Sequence, residues 1–327
     1  ALRLRAYHVR IDQQGVSDRK QFSDAFFKET QGVSGHMRFS DTFSKKHLVF
    51  DGGMGTMLLA AGLPAGASPD HWNITNPDAV RAVHAAYLNA GADLITSNTF
   101  GSTAPRQKRS VYRPAELAAA GVRLVKEAIA ASGRDAYAAL DIGPLGEFLE
   151  PLGDLTEEEA IAFFREPVEA GVSAGADCIL IETMSALDEA LACVRAAKTY
   201  GGGLPVLCTL TYSPAGRLMT GETLEAVAAA LEEAGADALG CNCGVGPEQL
   251  VALLPRFLAC ATKPLVMQPN AGLPEYRDGQ TVYLVGPEAF AGEMQTLAAG
   301  GVWGLGGCCG TTPAHIALLA AHARQAG

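Results

Sequence analysis

Eight short apolar runs punctuate the chain, and they restrict its fold more than any other feature. They lie at 47–53, 93–99, 136–143, 177–183, 205–212, 238–243, 265–270 and 303–309. A strand wetted on one face alternates apolar and polar residues, whereas these runs are near-continuous, as strands buried on both faces must be. The stretches between them are long enough for crossover helices. Eight consecutive strand–helix units predict a (β/α)8 TIM barrel.

The intervening stretches carry helix signals of their own. Pro77 opens a segment that closes near Gly91, and Thr156-Glu157-Glu158-Glu159 places negative charge at a positive dipole end. Pro247, Pro287 and Pro313 each stand where a first helical turn tolerates proline. The phrase Ala-Gly-Ala-Asp recurs at 90–93, 174–177 and 234–237, each time ending a helix and entering a strand. That echo is consistent with stacked βα units.

Composition favours one barrel over two domains. Of 327 residues, 48% are hydrophobic, and the 37 glycines are spread evenly with no Pro/Ser-rich linker. The balance of 25 basic against 35 acidic residues, a net charge of -10, offers no basic face for phosphate, so nucleic acid is not an expected partner. No apolar run reaches the roughly 18 residues of a membrane span, and the N-terminus has no signal-peptide core, so no membrane partner and a cytoplasmic location are expected.

Residues 1–46 stand outside the repeating pattern and are read as an N-terminal extension, with the barrel over 47–327. Gly35-His36-Met37 resembles a cloning junction ahead of a natural start at Met37, which would make 1–36 vector-derived; a native arm is the competing reading.

In such a barrel the chemistry sits at the C-terminal ends of the strands. The unusual polar residues gather there: Asp51, Asn98, Asp141, Glu182, Asn242, Cys243, Asn270, Cys308 and Cys309. Of the eight cysteines, Cys178, Cys193, Cys208 and Cys260 read as small core hydrophobes. Cys308-Cys309, flanked by Gly306, Gly307 and Gly310, gains little from packing, and metal ligation outweighs a strained vicinal disulfide. The third ligand is Cys241 or Cys243, which alternation places on one face of the strand; position nearer the mouth favours Cys243. Three thiolates select zinc and leave a fourth position open. So electron-rich a site suits binding and deprotonating a substrate thiol rather than generating hydroxide. Cys241 completing a four-cysteine structural site is the alternative.

The stretches Asp51-Gly52-Gly53-Met54-Gly55-Thr56, Ser97-Asn98-Thr99-Phe100-Gly101, Asp141-Ile142-Gly143-Pro144, Glu182-Thr183-Met184, Asn242-Cys243, Gln268-Pro269-Asn270-Ala271-Gly272 and Gly307-Cys308-Cys309-Gly310-Thr311-Thr312-Pro313 together resemble the homocysteine S-methyltransferases. The wording is most similar to the homocysteine-binding module of cobalamin-dependent methionine synthase, with betaine-homocysteine methyltransferase also similar. The resemblance implies zinc on Cys243, Cys308 and Cys309, and L-homocysteine as substrate. It implies that Glu182 and Asp51 line the amino-acid pocket, with Glu182 meeting the substrate ammonium; the backbone at Gly52 and Gly53 offers N–H groups to the substrate carboxylate, Asn98 is a further candidate pocket residue, and Asn270, a neutral oxygen donor at the mouth, either holds the fourth zinc position when substrate is absent or is a turn residue before Ala271-Gly272.

The expected reaction is attack of a zinc-bound homocysteine thiolate on a donor methyl group, giving methionine. Methylcobalamin, carried on a partner or sister domain, is the expected donor. Betaine and S-methylmethionine are the alternatives, and as cations they call for an aromatic cage or for carboxylates near the zinc. The chain ends without folate or cobalamin modules, so it reads as an isolated module or a free-standing homologue.

Overall fold

A computed structural model describes residues 37–45, 47–277 and 280–325. The proposed vector-derived segment 1–36 lies outside the described residues. Eight parallel strands occur at the eight predicted places: β1 (Leu48–Val49), β2 (Leu94–Thr96), β3 (Tyr137–Ile142), β4 (Cys178–Met184), β5 (Val206–Leu210), β6 (Ala238–Asn242), β7 (Leu265–Gln268) and, after a hairpin of β8 (Glu275–Arg277) and β9 (Gln280–Val282), β10 (Gly304–Leu305). Their order around the sheet is β1-β10-β7-β6-β5-β4-β3-β2. A parallel bridge between Phe50 and Leu94 joins the two ends, with Asp93 N–H donating to Val49 O at 2.7 Å and Asp51 N–H to Leu94 O at 3.1 Å. The barrel is thereby closed. The β8–β9 hairpin is antiparallel and was not anticipated; it interrupts the connection from β7 to its helix.

The helices are α1 (Met54–Ala60), α2 (Trp72–Thr75), α3 (Pro77–Ala90), α4 (Pro114–Ser132), α5 (Glu157–Ser173), α6 (Leu187–Tyr200), α7 (Leu224–Glu233), α8 (Pro247–Cys260), α9 (Pro287–Ala299) and α10 (Pro313–Gln325). Local chemistry explains their ends. The Thr156 hydroxyl accepts from Glu159 N–H while the Glu159 carboxylate accepts from Thr156 N–H, satisfying two donors that the first turn of α5 leaves free.

The Ala-Gly-Ala-Asp echo has one structural meaning in all three copies. Gly91, Gly175 and Gly235 adopt φ of 103°, 97° and 93°, the left-handed turn that ends a helix. The aspartate that follows accepts a backbone N–H at the start of a neighbouring strand: Asp93 from Val49 at 3.1 Å, Asp177 from Ala138 at 2.8 Å and Asp237 from Val206 at 2.8 Å. Each copy thus clamps two strands together at the floor of the barrel.

Strand residues alternate between two apolar environments. One set, including Ile95, Ala138, Ile179, Ile181, Cys208, Leu239, Cys241 and Met267, packs in the large core shared with the helices. The other fills the barrel interior with Leu48, Phe50, Leu94, Tyr137, Ala139, Cys178, Leu180, Leu207, Ala238 and Val266. The next inward positions, towards the C-terminal ends, turn polar: Thr96, Asp141, Glu182, Thr209, Asn242 and Gln268. The interior is therefore a sealed hydrocarbon plug with a polar upper layer, and that layer is the floor of a cavity.

The compact unit begins at Arg38, and the turn of 3-10 helix Phe39–Ser44 packs with the barrel rather than apart from it. Phe39 is 4% exposed and meets Tyr137 and Trp303 edge-on, with ring centroids 5.3 and 6.0 Å away. Trp303 Nε1 donates to Thr42 O at 2.9 Å. Residues 39–44, read from sequence as part of the extension, thus stopper the floor of the barrel.

Candidate metal centre and substrate cavity

Cys243 directly follows β6, Cys308 and Cys309 follow β10, and their sulfurs all lie within 4.8 Å of one another. The Cys308 and Cys309 sulfurs are 4.0 Å apart. Ligands about 2.3 Å from a tetrahedral zinc are about 3.8 Å from each other, so the separation fits a shared metal and excludes a disulfide in this geometry.

Simple alternation fails at Cys243. It would place Cys243 on the same face as Cys241, which packs towards the helices at 0% exposure. Cys243 instead has φ of +57°, a left-handed conformation uncommon for a side chain with a Cβ, and this turn swings its sulfur to the mouth. Cys241 is left on the opposite side of the wall, so a four-cysteine structural site cannot form.

The second ligand loop is held from below. Cys308 N–H donates to Pro269 O at 2.9 Å, Cys309 N–H to Asn270 Oδ1 at 3.0 Å, and Ala271 N–H to Cys309 O at 3.0 Å. The Thr311 hydroxyl donates to Cys308 O at 2.6 Å and accepts Gly53 N–H at 3.0 Å, tying this loop to the one after β1. A Cβ on Gly53 would lie 2.7 Å from Cys308 O, so only glycine allows that approach.

Without a metal the three thiols share charge unequally. Hydrogen bonds from Cys308 and Cys309 hold Cys243 down to about 3, and the same contacts push Cys308 up. One thiolate is thus favoured and further ones are opposed. A divalent cation reverses that opposition, which is the chemical sense in which this donor set fits zinc.

The triad forms one wall of a cavity of about 590 Å³, also lined by Asp51, Gly52, Gly53, Asp70, Asn98, Asp141 and Glu182. The strand ends carrying Asp51, Asn98, Glu182, Cys243, Cys308 and Cys309 therefore converge on one mouth. No helix among the described residues is long and apolar enough to cross a membrane.

Glu182 reaches this cavity through an irregularity. The register of β4 with β5 shifts between Ile181 and Met184, and Thr183 adopts φ of +61°. Burial and the nearby Cys243 charge push Glu182 up to about 8, and no lysine or arginine among the described residues forms an ion pair with it.

Asn242, 0% exposed, holds that bulge. Its Oδ1 accepts Thr183 N–H at 2.7 Å and the Thr209 hydroxyl at 2.8 Å. A backbone N–H can only donate, so this contact fixes the amide orientation and directs Nδ2 to Thr183 Oγ1 at 2.7 Å, Glu182 Oε2 at 3.4 Å and Cys308 Sγ at 3.9 Å. Asn242 was legible in the sequence only as a polar strand end, and its role as a hub was not.

Other expected pocket residues have their polar groups engaged by the protein. Both oxygens of Asp51 accept from Thr96, through its N–H at 2.9 Å and its hydroxyl at 2.9 and 3.0 Å, while burial pushes Asp51 up to about 7. Asn98 Nδ2 donates to Pro69 O at 2.8 Å and Asn73 Oδ1 at 2.9 Å, bracing the β2 loop. The Gly53 N–H is engaged by Thr311. Asp141 differs, because its Oδ1 has no partner.

The chain has relatives among known proteins and solved structures. The methionine synthase of Mycobacterium tuberculosis is 32% identical over 290 residues, covering 84% of this chain and 24% of that protein. Its Mycobacterium leprae counterpart is 31% identical over 294 residues, with the same coverages. The chain thus spans about a quarter of the length of the curated relatives it matches. Among solved structures, the homocysteine methyltransferase MmuM of Escherichia coli in its metallated form superposes with a TM-score of 0.73 at 27% identity, covering 85% of this chain and 96% of that one. Residues 48–323 match the homocysteine S-methyltransferase family, and the chain belongs to that family of methyltransferases.

Proposed function

We propose that the barrel binds zinc on Cys243, Cys308 and Cys309 and methylates L-homocysteine to methionine. The observation that carries this reading is the convergence of three sulfurs, from two separate loops, within 4.8 Å on the wall of a substrate-sized cavity. Zinc held there would act as a Lewis acid that lowers the pKa of a coordinated thiol to near neutrality while three anionic ligands preserve its nucleophilicity. The chain's own residues would do the rest. Glu182 would hold the substrate ammonium, and Asp51, Gly52, Gly53 and Asn98 would form the pocket wall against its amino-acid end. Asn270, already bonded to Cys309 N–H and beside Cys243, would supply the exchangeable fourth ligand.

The donor we favour is methylcobalamin on a partner or sister domain. Two facts support it: the curated relatives are methionine synthases several times longer than this chain, and the mouth is rimmed by exposed apolar side chains. Val111, Phe148, Leu152, Met219, Leu273 and Tyr276, each in a connection that follows a barrel strand, Tyr276 on the β8–β9 hairpin, are 43–87% exposed, a distribution suited to a protein-borne donor. A second reading, a small cationic donor such as betaine or S-methylmethionine, is supported by the carboxylates Asp51, Asp70, Asp141 and Glu182 in one cavity. The test is a donor panel. Zinc-loaded protein with homocysteine is given methylcobalamin, betaine or S-methylmethionine, and methionine is measured. Formation from methylcobalamin alone is expected; formation from none, with zinc and homocysteine bound, refutes methyl transfer by this barrel.

A further inference from the structure

The unanticipated β8–β9 hairpin returns the chain to the metal centre. Tyr283, the residue that follows it, is half-buried and lays its ring directly on Gly310, where a Cβ would lie 2.2 Å from Tyr283 Cγ. This contact brings the phenol hydroxyl to the Cys309 sulfur, to which it donates a hydrogen bond. Cys309 lines the cavity and Tyr283 does not, so the hydroxyl approaches the sulfur from behind the cavity wall. The segment that presents Tyr283 is pinned at Val285. Val285 N–H donates to Ala271 O at 3.0 Å, and a Cβ on Gly272 would lie 2.7 Å from Val285 Cγ2. Val285 O accepts from Nε2 of His315, in the first turn of α10, at 3.0 Å. Thr312 N–H donates to His315 Nδ1 at 3.2 Å; a backbone N–H can only donate, so the imidazole proton sits on Nε2 and points at Val285. His315 is buried and edge-on to the Phe290 ring, with centroids 5.4 Å apart.

Each of the three sulfurs thereby has a donor of its own: Gly244 N–H for Cys243, Asn242 Nδ2 for Cys308 and the Tyr283 hydroxyl for Cys309. A hydrogen bond to a thiolate fixes its direction and draws charge from it, which leaves a metal bound there more electrophilic. We infer that Tyr283 is a positioning residue of the metal centre, orienting the Cys309 thiolate and withdrawing charge from it, so that the metal keeps enough positive charge to acidify the substrate thiol. This rests on the zinc reading above.

The test separates the hydroxyl from the ring. Tyr283→Phe keeps the ring on Gly310 and removes only the hydroxyl, whereas Tyr283→Leu removes both. Parent and variants are loaded with cobalt(II), whose sulfur-to-metal charge-transfer absorption reports the electron density on the ligands, and zinc affinity is measured by competition with a chelating dye. Both variants should move the absorption to longer wavelength, because a thiolate without its donor gives up an electron more readily, and both should bind zinc about tenfold more weakly. A purely structural role would leave Tyr283→Phe with the parent absorption and change only Tyr283→Leu, and that pattern overturns the assignment. Failure of the parent to bind either metal would instead refute the zinc reading, and this inference with it.

Discussion

Asn242 is the residue whose removal tests most of the site at once. Replacing it with alanine orphans Thr183 N–H, a part-buried donor whose lost hydrogen bond costs about 1 kcal/mol; the Thr183 and Thr209 hydroxyls can rotate to other acceptors. The left-handed Thr183 is itself strained by about 1–3 kcal/mol, and the lost hydrogen bond is what holds it there. Relaxation of Thr183 recovers part of the loss and turns Glu182 out of place. The expected net destabilisation is about 2 kcal/mol, or roughly 3 °C in melting temperature for a domain of this size. Zinc affinity should fall by about tenfold, because Nδ2 faces the Cys308 sulfur, and homocysteine affinity by a comparable factor. Urea unfolding, zinc competition with a chelating dye, and calorimetry read the three quantities separately. Asn242→Asp keeps the acceptors for Thr183 N–H and Thr209 but sets a carboxylate against Glu182 and Cys308. It should therefore bind substrate worse than Asn242→Ala while keeping more of the unfolding free energy. Parent-like values for Asn242→Ala in all three assays would refute the hub.

Three further outcomes follow from the same geometry. Phe39→Ala should destabilise the barrel by about 3–5 kcal/mol, since the ring is buried against Tyr137 and Trp303, with zinc content unchanged; a shift under 1 kcal/mol in urea unfolding would mean that residues 39–44 do not seal the floor. Cys241→Ala should retain its full complement of zinc by metal analysis, whereas Cys308→Ala should lose it; the opposite pattern would reassign the ligands. Stability of the metal-free protein should decline as pH rises from about 4 through 7, because Asp51 is raised from 3.8 to about 7 by burial and its stabilising contribution is complete only below the unfolded value. That shift corresponds to about 4 kcal/mol at full ionisation. Asp51→Asn should flatten the profile, and parallel curves for parent and variant would show that Asp51 is not responsible.

Much of this was determined by the sequence alone. Strands buried on both faces leave near-continuous apolar runs, so all eight barrel strands were placed at their observed positions, and Pro77, Thr156 and Gly91 marked helix ends because caps act over three or four residues. The same locality made the three Ala-Gly-Ala-Asp copies visible, though not that each aspartate clamps a neighbouring strand. Residues 39–44 carried no periodicity, and only the packing of Phe39 beneath Tyr137 and Trp303 assigns them to the barrel. The choice between Cys241 and Cys243 rested on position, since alternation gave both the same face; the structure separates them by a left-handed turn at Cys243. A non-glycine residue adopts that turn only when contacts distant in sequence outweigh its strain, as Cys243 N–H to Gln268 O does here and as Asn242 does for Thr183 across 59 residues. Periodicity and caps are nearest-neighbour physics and were therefore readable in the chain. The aim of a sulfur or a carboxylate into the cavity is set by hydrogen bonds between strands, which exist only once the barrel has closed.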